Sequence, residues 1–184
     1  MQRVVYACVP VQRMVYAVTQ HLRYFRAPPL TPHTPTQPAR RSGVVLNKKY
    51  HRIPVTLRET YGMDKEVAQH LSANYGTRAL QVAEIAKAGA PALGARLSPR
   101  FPFIYAEVAF AVQHEYAVHA EDVLARRTRL AFLNAAEAAA AAPGVIALMG
   151  DLLGWDGIRR REEAAAVARF LETMSAAPQP AAAS

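Results

Sequence analysis

The sequence has little cysteine and little glycine, and it lacks a long uninterrupted apolar run. Cys8 is the single cysteine among 184 residues, so no internal disulfide can form. The nine glycines include neither G-x-G-x-x-G nor G-x-x-x-x-G-K-[ST], so neither familiar phosphate-binding loop is present. No stretch of about 18 consecutive apolar residues occurs, and the sequence therefore predicts no transmembrane helix.

Acidic residues are missing from the first third of the chain. Residues 1–58 contain ten Lys/Arg and no Asp or Glu, whereas residues 59–184 contain twelve Lys/Arg and fourteen acids. The formal net charge of +8 therefore comes from an N-terminal extension, and the rest of the chain is close to neutral. Because nucleic-acid binding requires a strongly basic surface, we predict no nucleic-acid partner for this body.

Residues 1–48 form a basic, proline-rich extension and linker that we expect to be disordered or loosely structured. The Arg-rich, acid-free stretch 11–26 carries its apolar residues on one helical stripe, which is typical of a mitochondrial transit segment; a chance helix is the alternative. Proline then recurs at every third position over 29–38, which favours a semi-rigid polyproline II linker over a docking ligand. The tail, 175–184, is predicted to be disordered.

Residues 49–174 predict an all-α domain, a compact bundle of about five to six helices. Apolar residues recur at helical spacing, and no convincing alternating strand pattern interrupts them. We expect helices to follow Asp64 and Thr77, a third to cover 103–118, and a fourth to run from near His119 to Pro143. A fifth helix is expected over 144–156, and a sixth after a cap at Asp156.

The segment HEYAVH, residues 114–119, superficially resembles the zinc-protease motif H-E-x-x-H. His114 and His119 are five residues apart, which separates them by roughly 140° around a helix, so they cannot grip one ion. No G-x-S-x-G nucleophile elbow is present either. We therefore predict no catalytic, cofactor-binding or metal-binding residue in this chain.

The stretch EDVLARRTRLAFLN, residues 121–134, sets three arginines among apolar residues. Asp122 and Arg126 are four residues apart with the acid first, which is the favourable order for an ion pair along a helix. The candidate ion-pair residues, within the core or between this domain and another, are Arg126, Arg127, Arg129 and Asp122.

Arg127 is the arginine whose placement raises the sharpest question. On an α-helix it shares a stripe with Val123 and Leu130, and a guanidinium on a partly apolar face needs an acceptor. The acids available on neighbouring predicted helices are Glu107, Glu115 and Glu84. Two interpretations remain open: an ion-pair network between helices, or a docking surface or anion site shared with another domain.

Three segments closely resemble the C-terminal helical domain of FAD-dependent glycerol-3-phosphate dehydrogenase. The motifs HEYA, ARRTRLAFLN and LGWD, and their spacing relative to one another, make the resemblance specific. It covers about residues 50–174, whereas residues 1–48 do not resemble the family. The resembling segments are RETYGMDKEVAQHLSANYGTRALQVAEIAK (58–87), RLSPRFPFIYAEVAFAVQHEYAVHAEDVLARRTRLAFLN (96–134) and LMGDLLGWDGIRRREEAAAVARFL (148–171).

The resemblance implies that this domain supports flavin chemistry but does not itself contain the flavin-binding site. The family oxidises sn-glycerol 3-phosphate to dihydroxyacetone phosphate and passes electrons through FAD to membrane quinone, in eukaryotes at the mitochondrial inner membrane. Its flavin fingerprint and substrate residues belong to a larger N-terminal region that is missing from this sequence. The implied chain is a non-catalytic domain that binds no FAD by itself and supports the flavin and substrate domain. Membrane association would be peripheral and only through the full enzyme, at the cytoplasmic membrane if the source is not a eukaryote.

Several origins are compatible with this resemblance. The chain is expected to be a fragment of the dehydrogenase or one half of a split enzyme. The alternative is a repurposed helical interaction module, or a subunit of a mitochondrial assembly without enzymatic activity, and a homo-oligomer is compatible with either. Val118 and His119 stand where many relatives have Cys and Thr, which leaves the predicted fold unchanged.

Overall fold

The computed structural model describes residues 51–174. The predicted extension at 1–48 and the predicted tail at 175–184 lie outside the described residues, as does the amphipathic stretch 11–26. The described part divides into two compact units, one ending at Gly94 and one beginning at Ala95. Each unit is built from its own helices.

The described residues form seven α-helices, and the predicted all-α class is confirmed. Their one β-type contact is an isolated antiparallel bridge between Arg96 and Ile104. A 3-10 turn, Gly76–Arg78, and a π-helix, Asp122–Arg127, complete the helical elements. The α-helices are α1 (Ile53–Tyr61), α2 (Lys65–Tyr75), α3 (Ala79–Ala88), α4 (Tyr105–His114), α5 (Leu130–Leu133), α6 (Ala135–Leu153) and α7 (Gly157–Met174).

The first unit is a packed set of three short helices, α1 to α3. A proline in its first turn begins α1, and Gly62 ends it in the left-handed conformation at φ 65°. The second helix follows Asp64 as predicted, although the Asp64 side chain makes no capping hydrogen bond. The third was expected from Thr77 and begins as the 3-10 turn before Ala79. Leucine and valine side chains from the three helices are fully buried between them.

The second unit is organised around α6, which packs against α4, α5 and α7. Phe110, Leu130 and Met149 are fully buried there. Among the described helices, α6 is the one long and apolar enough to span a bilayer, by length and composition alone. It packs against three neighbouring helices, as the central helix of a bundle does. Such a central helix can be as long and as apolar as a helix that spans a bilayer.

The predicted boundary between the fourth and fifth helices is wrong. Pro143 was expected to end a helix, but it lies inside α6, which continues to Leu153. A proline in a helix interior costs about 3 kcal/mol because a backbone hydrogen bond is lost. The surrounding run of alanines has high helix propensity, and burial of Val145 and Met149 stabilises the continuous helix against that cost.

The break in the predicted fourth helix occurs earlier, between Thr128 and Asn134. Arg129 adopts a left-handed backbone at φ 58°, which no α-helix can continue through. Asn134 has extended backbone and its side-chain oxygen accepts a hydrogen bond from the Glu137 N–H at 3.1 Å, so it caps α6. The cap at Asp156 is as predicted, since its carboxylate accepts from the Arg159 N–H at 2.7 Å.

The third predicted helix is shorter than expected. It was expected to begin near residue 103 and run through 118, but α4 covers Tyr105–His114. Glu107 begins it by accepting the Ile104 N–H at 2.9 Å. The helix ends because Tyr116 adopts φ 58°, which turns the chain out of the helical path.

Candidate functional site

The arginine-bearing stretch folds as a π-helix rather than an α-helix. It spans Asp122–Arg127, and the Thr128 N–H donates to the carbonyl of Val123, five residues earlier, at 2.9 Å. The Thr128 hydroxyl donates to the same carbonyl at 2.8 Å, which closes the wide turn. Short π-helical segments are frequent at functional sites, and they rotate later side chains relative to an α-helical register.

Arg126 makes the predicted ion pair with Asp122. Its guanidinium also donates to Glu121 at 3.1 Å. The other carboxylate oxygen of Asp122 accepts the backbone N–H groups of His119 and Val118 at 3.0 and 3.2 Å. Burial alone raises the pKa of Asp122, but these two backbone donors and the Arg126 guanidinium outweigh it and hold the pKa below its ordinary value. Asp122 therefore ties the loop before the π-helix to the helix itself.

Arg127 pairs with one of the three acids that the sequence offered. Its guanidinium donates to the Glu115 carbonyl at 3.0 Å and lies 3.5 Å from the Glu115 carboxylate. Glu107 instead accepts a backbone N–H at the start of α4, and Glu84 belongs to the first unit. The side chain of Arg127 is 42% exposed, since the π-helical register moves it off the buried stripe. It fastens the loop after α4 to the π-helix at the surface.

Arg129 differs from its two neighbours in having no ion pair and no side-chain hydrogen bond within residues 51–174. Its side chain is exposed, and its backbone lies in the left-handed region that disfavours every residue with a Cβ atom. The N–H groups of Phe132 and Leu133 donate to the Arg129 carbonyl at 3.1 and 3.2 Å. Arg129 thus lies at the start of a short helical turn, and its backbone carbonyl is bonded within that turn.

Large apolar side chains are exposed on that same turn. Phe132 is 61% exposed and Leu133 is 58% exposed, and Phe132 meets the ring of Phe170 edge-on with centroids 6.4 Å apart. We call Arg129, Phe132 and Leu133 the 129–133 surface. Tyr116, which is 87% exposed at φ 58°, lies in the loop that Arg127 holds by the carbonyl of its neighbour. Two left-handed residues therefore flank the π-helix, and both present exposed side chains.

A buried carboxylate on α7 was missed by sequence reasoning. The side chain of Glu163 is 4% exposed; it accepts the Ala120 N–H at 3.0 Å and lies 2.7 Å from Arg159. It also lies 2.9 Å from the His119 ring nitrogen. The four-residue spacing of Arg159 and Glu163 was the available signal, but that spacing alone does not distinguish a surface pair from a buried one.

The two histidines of the H-E-x-x-H-like segment have different partners. The ring of His114 packs on Phe110 with centroids 4.8 Å apart, while His119 bonds Glu163. Residues 51–174 hold no group of three or more His, Cys, Asp or Glu side chains positioned to bind a metal. His119 instead bonds Glu163, and this bond joins the residues just before the π-helix to α7.

An apolar groove of about 410 Å³ lies between α6 and α7. Alanines, Pro143 and aliphatic side chains line it, and Arg160 is its charged lining residue. That guanidinium is already engaged, because it donates to the Asp151 carboxylate at 2.7 Å and to the Trp155 carbonyl at 3.3 Å. The lining contains no carboxylate, histidine or nucleophile, so the groove offers surface for packing and no acid–base pair.

The described residues lack one familiar arrangement for holding a flavin dinucleotide. Such a group is held where a strand leads through a glycine-rich loop into a helix, so that backbone N–H groups meet the pyrophosphate. Residues 51–174 form helices and a single isolated bridge, and that arrangement is not among them. We assign no flavin contact and no reaction step to these side chains.

Comparison with known proteins finds one matching family model and several similar curated proteins. A family model described as the C-terminal domain of alpha-glycerophosphate oxidase matches residues 43–160. The mitochondrial glycerol-3-phosphate dehydrogenases of Mus musculus and Homo sapiens are 44% and 43% identical to the chain over 120 residues. The probable mitochondrial enzyme of Caenorhabditis elegans is 45% identical over 121 residues. No solved structure matches.

The matches cover unequal shares of the proteins compared. They include 64% of this chain, but 16% of the mouse and human proteins and 17% of the Caenorhabditis elegans protein. The chain thus corresponds to a small part of each curated relative, and the resemblance expected from HEYA, ARRTRLAFLN and LGWD is confirmed. The family match contains the π-helix and the 129–133 surface, and it ends before Glu163.

Proposed function

The chain belongs to the family described as the C-terminal domain of alpha-glycerophosphate oxidase, and on that premise we propose that it is the C-terminal helical domain of an FAD-dependent glycerol-3-phosphate dehydrogenase. The observation that carries this proposal is the 44% identity to the mouse enzyme over 120 residues. The whole enzyme would oxidise glycerol 3-phosphate to dihydroxyacetone phosphate and pass electrons to quinone. Within it, this domain supports the flavin-bearing part and does no chemistry of its own.

The described carboxylates support a structural role for the domain. Glu107 and Glu163 are buried, and each accepts a backbone N–H at the start of a helical segment. A buried carboxylate used in this way stabilises the backbone at the start of a helical segment. The ion pairs of Arg126 and Arg127 likewise join elements of the same unit.

Cofactor, partner and location follow from the same proposal. The FAD would be held by the remainder of the enzyme, which is also the partner on which this domain packs. The relatives are named as mitochondrial enzymes, which supports a mitochondrial location for this chain. Attachment to the inner membrane would occur through the remainder of the enzyme.

Replacing the matched stretch in a known enzyme tests this function. In the mouse dehydrogenase, the matched 120 residues, extended where needed to the end of α7, are exchanged for the corresponding residues of this chain. We expect the chimera to retain FAD and to oxidise glycerol 3-phosphate, whereas a mouse enzyme without the stretch loses both. A folded chimera that neither binds FAD nor turns over would contradict the proposal and favour the repurposed interaction module.

The isolated 184-residue chain provides the complementary measurement. We expect the purified chain to show no bound flavin absorbance and no oxidation of glycerol 3-phosphate. Yellow, active protein would show that the chain itself carries the chemistry. In the source genome, an upstream reading frame encoding G-x-G-x-x-G would favour a fragment or split enzyme, and its clear absence would favour the interaction module.

A further inference from the structure

We propose that the 129–133 surface is the contact through which this domain docks on the flavin-bearing remainder of the dehydrogenase, and that the remainder presents a carboxylate to Arg129. This inference rests on the proposed function and identifies the surface that performs it. The matched region is 16% of the mouse enzyme and the family description places it at the C-terminus, so in the whole enzyme a much larger part of the chain is available as its neighbour.

The ion pairs of the three neighbouring arginines distinguish Arg129 from Arg126 and Arg127. Arg126 is neutralised by Asp122 and Glu121, and Arg127 is held by Glu115. Arg129 alone of the three has no acceptor within residues 51–174, and it stands beside two apolar side chains that are more than half exposed. Burying this surface removes water from the guanidinium, and that is tolerated only if the covering partner supplies an acceptor.

The backbone of Arg129 provides a second, independent argument. A non-glycine residue at φ 58° costs about 1 kcal/mol or more, and glycine would remove that cost. The isolated domain obtains no described side-chain contact in return. A contact made by Arg129 at an interface would account for a strained backbone that no described side-chain contact explains.

Apolar area and one cation match the chemistry of a packed interface between domains. Aromatic side chains and arginine are the residue types that most often dominate interface energetics. The Phe132 ring is held edge-on against Phe170 at 6.4 Å, so its orientation is set before any partner arrives. The occupant is therefore an apolar face with an acidic residue at its edge, contributed by the remainder of the enzyme.

Opposite effects of one substitution separate docking from folding. In the isolated full chain, Arg129→Gly is expected to raise the melting temperature, because backbone strain is relieved. In the chimera described above, the same substitution is expected to speed the thermal loss of FAD by about tenfold, since a central interface contact is removed. Arg129→Lys is expected to recover part of the loss in the chimera.

Matched control substitutions lie on α7. Arg161 is exposed and has no ion pair among the described residues, and Ile158 is 60% exposed. Arg161→Gly and Ile158→Ser are expected to leave the rate of FAD loss from the chimera unchanged, whereas Phe132→Ser is expected to raise that rate. The melting temperature of each variant is also measured in the isolated chain. A substitution that simply unfolds the domain is thereby distinguished from one that weakens docking.

The outcomes distinguish this inference from the proposed function. If the unsubstituted chimera fails to bind FAD, the proposed function fails. If that chimera is active but Arg129→Gly and Phe132→Ser behave like the α7 controls, the docking surface is wrong while the function stands. Self-association of the isolated chain that Phe132→Ser abolishes would assign the surface to a second copy and overturn the inference.

Discussion

Glu163 on α7 contacts Ala120 and His119, which lie just before the π-helix, and these contacts lead to the most quantitative prediction. Glu163→Gln keeps the size of the side chain but replaces one oxygen by an NH₂ group. In the native chain the two oxygens accept the Ala120 N–H at 3.0 Å and contact Arg159 at 2.7 Å and His119 at 2.9 Å. The amide therefore presents a donor to at least one group that is itself a donor.

The cost of this change follows from which donors are buried. The Ala120 residue and the Glu163 side chain are almost fully buried, so an unmatched donor there costs about 1–3 kcal/mol. The side chains of Arg159 and His119 are 41% and 52% exposed, so water can replace the contacts that they lose. Their contribution to the loss of unfolding free energy is therefore small. We expect a loss of about 2 kcal/mol and, for a unit of this size, a fall in melting temperature of about 10 °C.

Urea unfolding of the full chain, followed by far-ultraviolet circular dichroism, measures this loss. The adjacent Glu162 is the matched control, because its side chain is 62% exposed and also faces Arg159, at 3.7 Å. Glu162→Gln is expected to change the unfolding free energy by less than about 0.5 kcal/mol. Thermal melting gives an independent estimate of the same difference.

Equal destabilisation by the two substitutions would refute the reasoning. It would mean that the Glu163 carboxylate contributes no more than a surface ion pair, despite its burial and its backbone donor. A Glu163→Gln chain as stable as the unsubstituted chain would show that the segment before the π-helix is held by other contacts.

Three further predictions concern the same unit. Arg127→Ala should lower the melting temperature more than Arg129→Ala, because Arg127 loses its Glu115 contacts while the other has none to lose among the described residues; equal melting temperatures would contradict this. Gly150→Ala should destabilise the chain rather than stabilise it as in an ordinary helix, since its Cβ would lie 2.6 Å from Arg160 and would displace that guanidinium from its bonds to Asp151 and Trp155; differential scanning calorimetry gives the sign. The lowered pKa of Asp122 supplies stability that is complete above its unfolded value of about 4 and is lost as pH falls through the folded value. Stability measured between pH about 5 and 2 should therefore fall more for the native chain than for Asp122→Asn, and parallel curves would exclude this carboxylate as the cause.

Local sequence signals predicted helices where one residue decides a boundary. Asp64 directly precedes α2, and Asp156 caps α7 with its own carboxylate. The acid–base spacing of Asp122 and Arg126 likewise led directly to an observed ion pair. These features depend on neighbours within about one helical turn, so a sequence pattern contains all the information they need.

The same signals failed where packing opposes local preference. Pro143 is a strong helix breaker by itself, yet it lies inside α6 because the helix is held by burial along its whole length. Arg129 has no local reason to adopt φ 58°, and no sequence pattern marked the chain break that it makes. The π-helix then changed which side chains share a face, so that the predicted partly buried position of Arg127 became a surface position.

The sequence by itself determined the helical class, the near-neutral body behind a basic extension, and the family, because composition, periodicity and motif spacing are properties of the chain order. Only the tertiary structure decided which acid each arginine meets, that Glu163 is buried beneath the start of the π-helix segment, and that Arg129 is left exposed beside Phe132. Those contacts join residues up to 44 positions apart. Their geometry depends on how α7 packs near the segment, and no local preference encodes it.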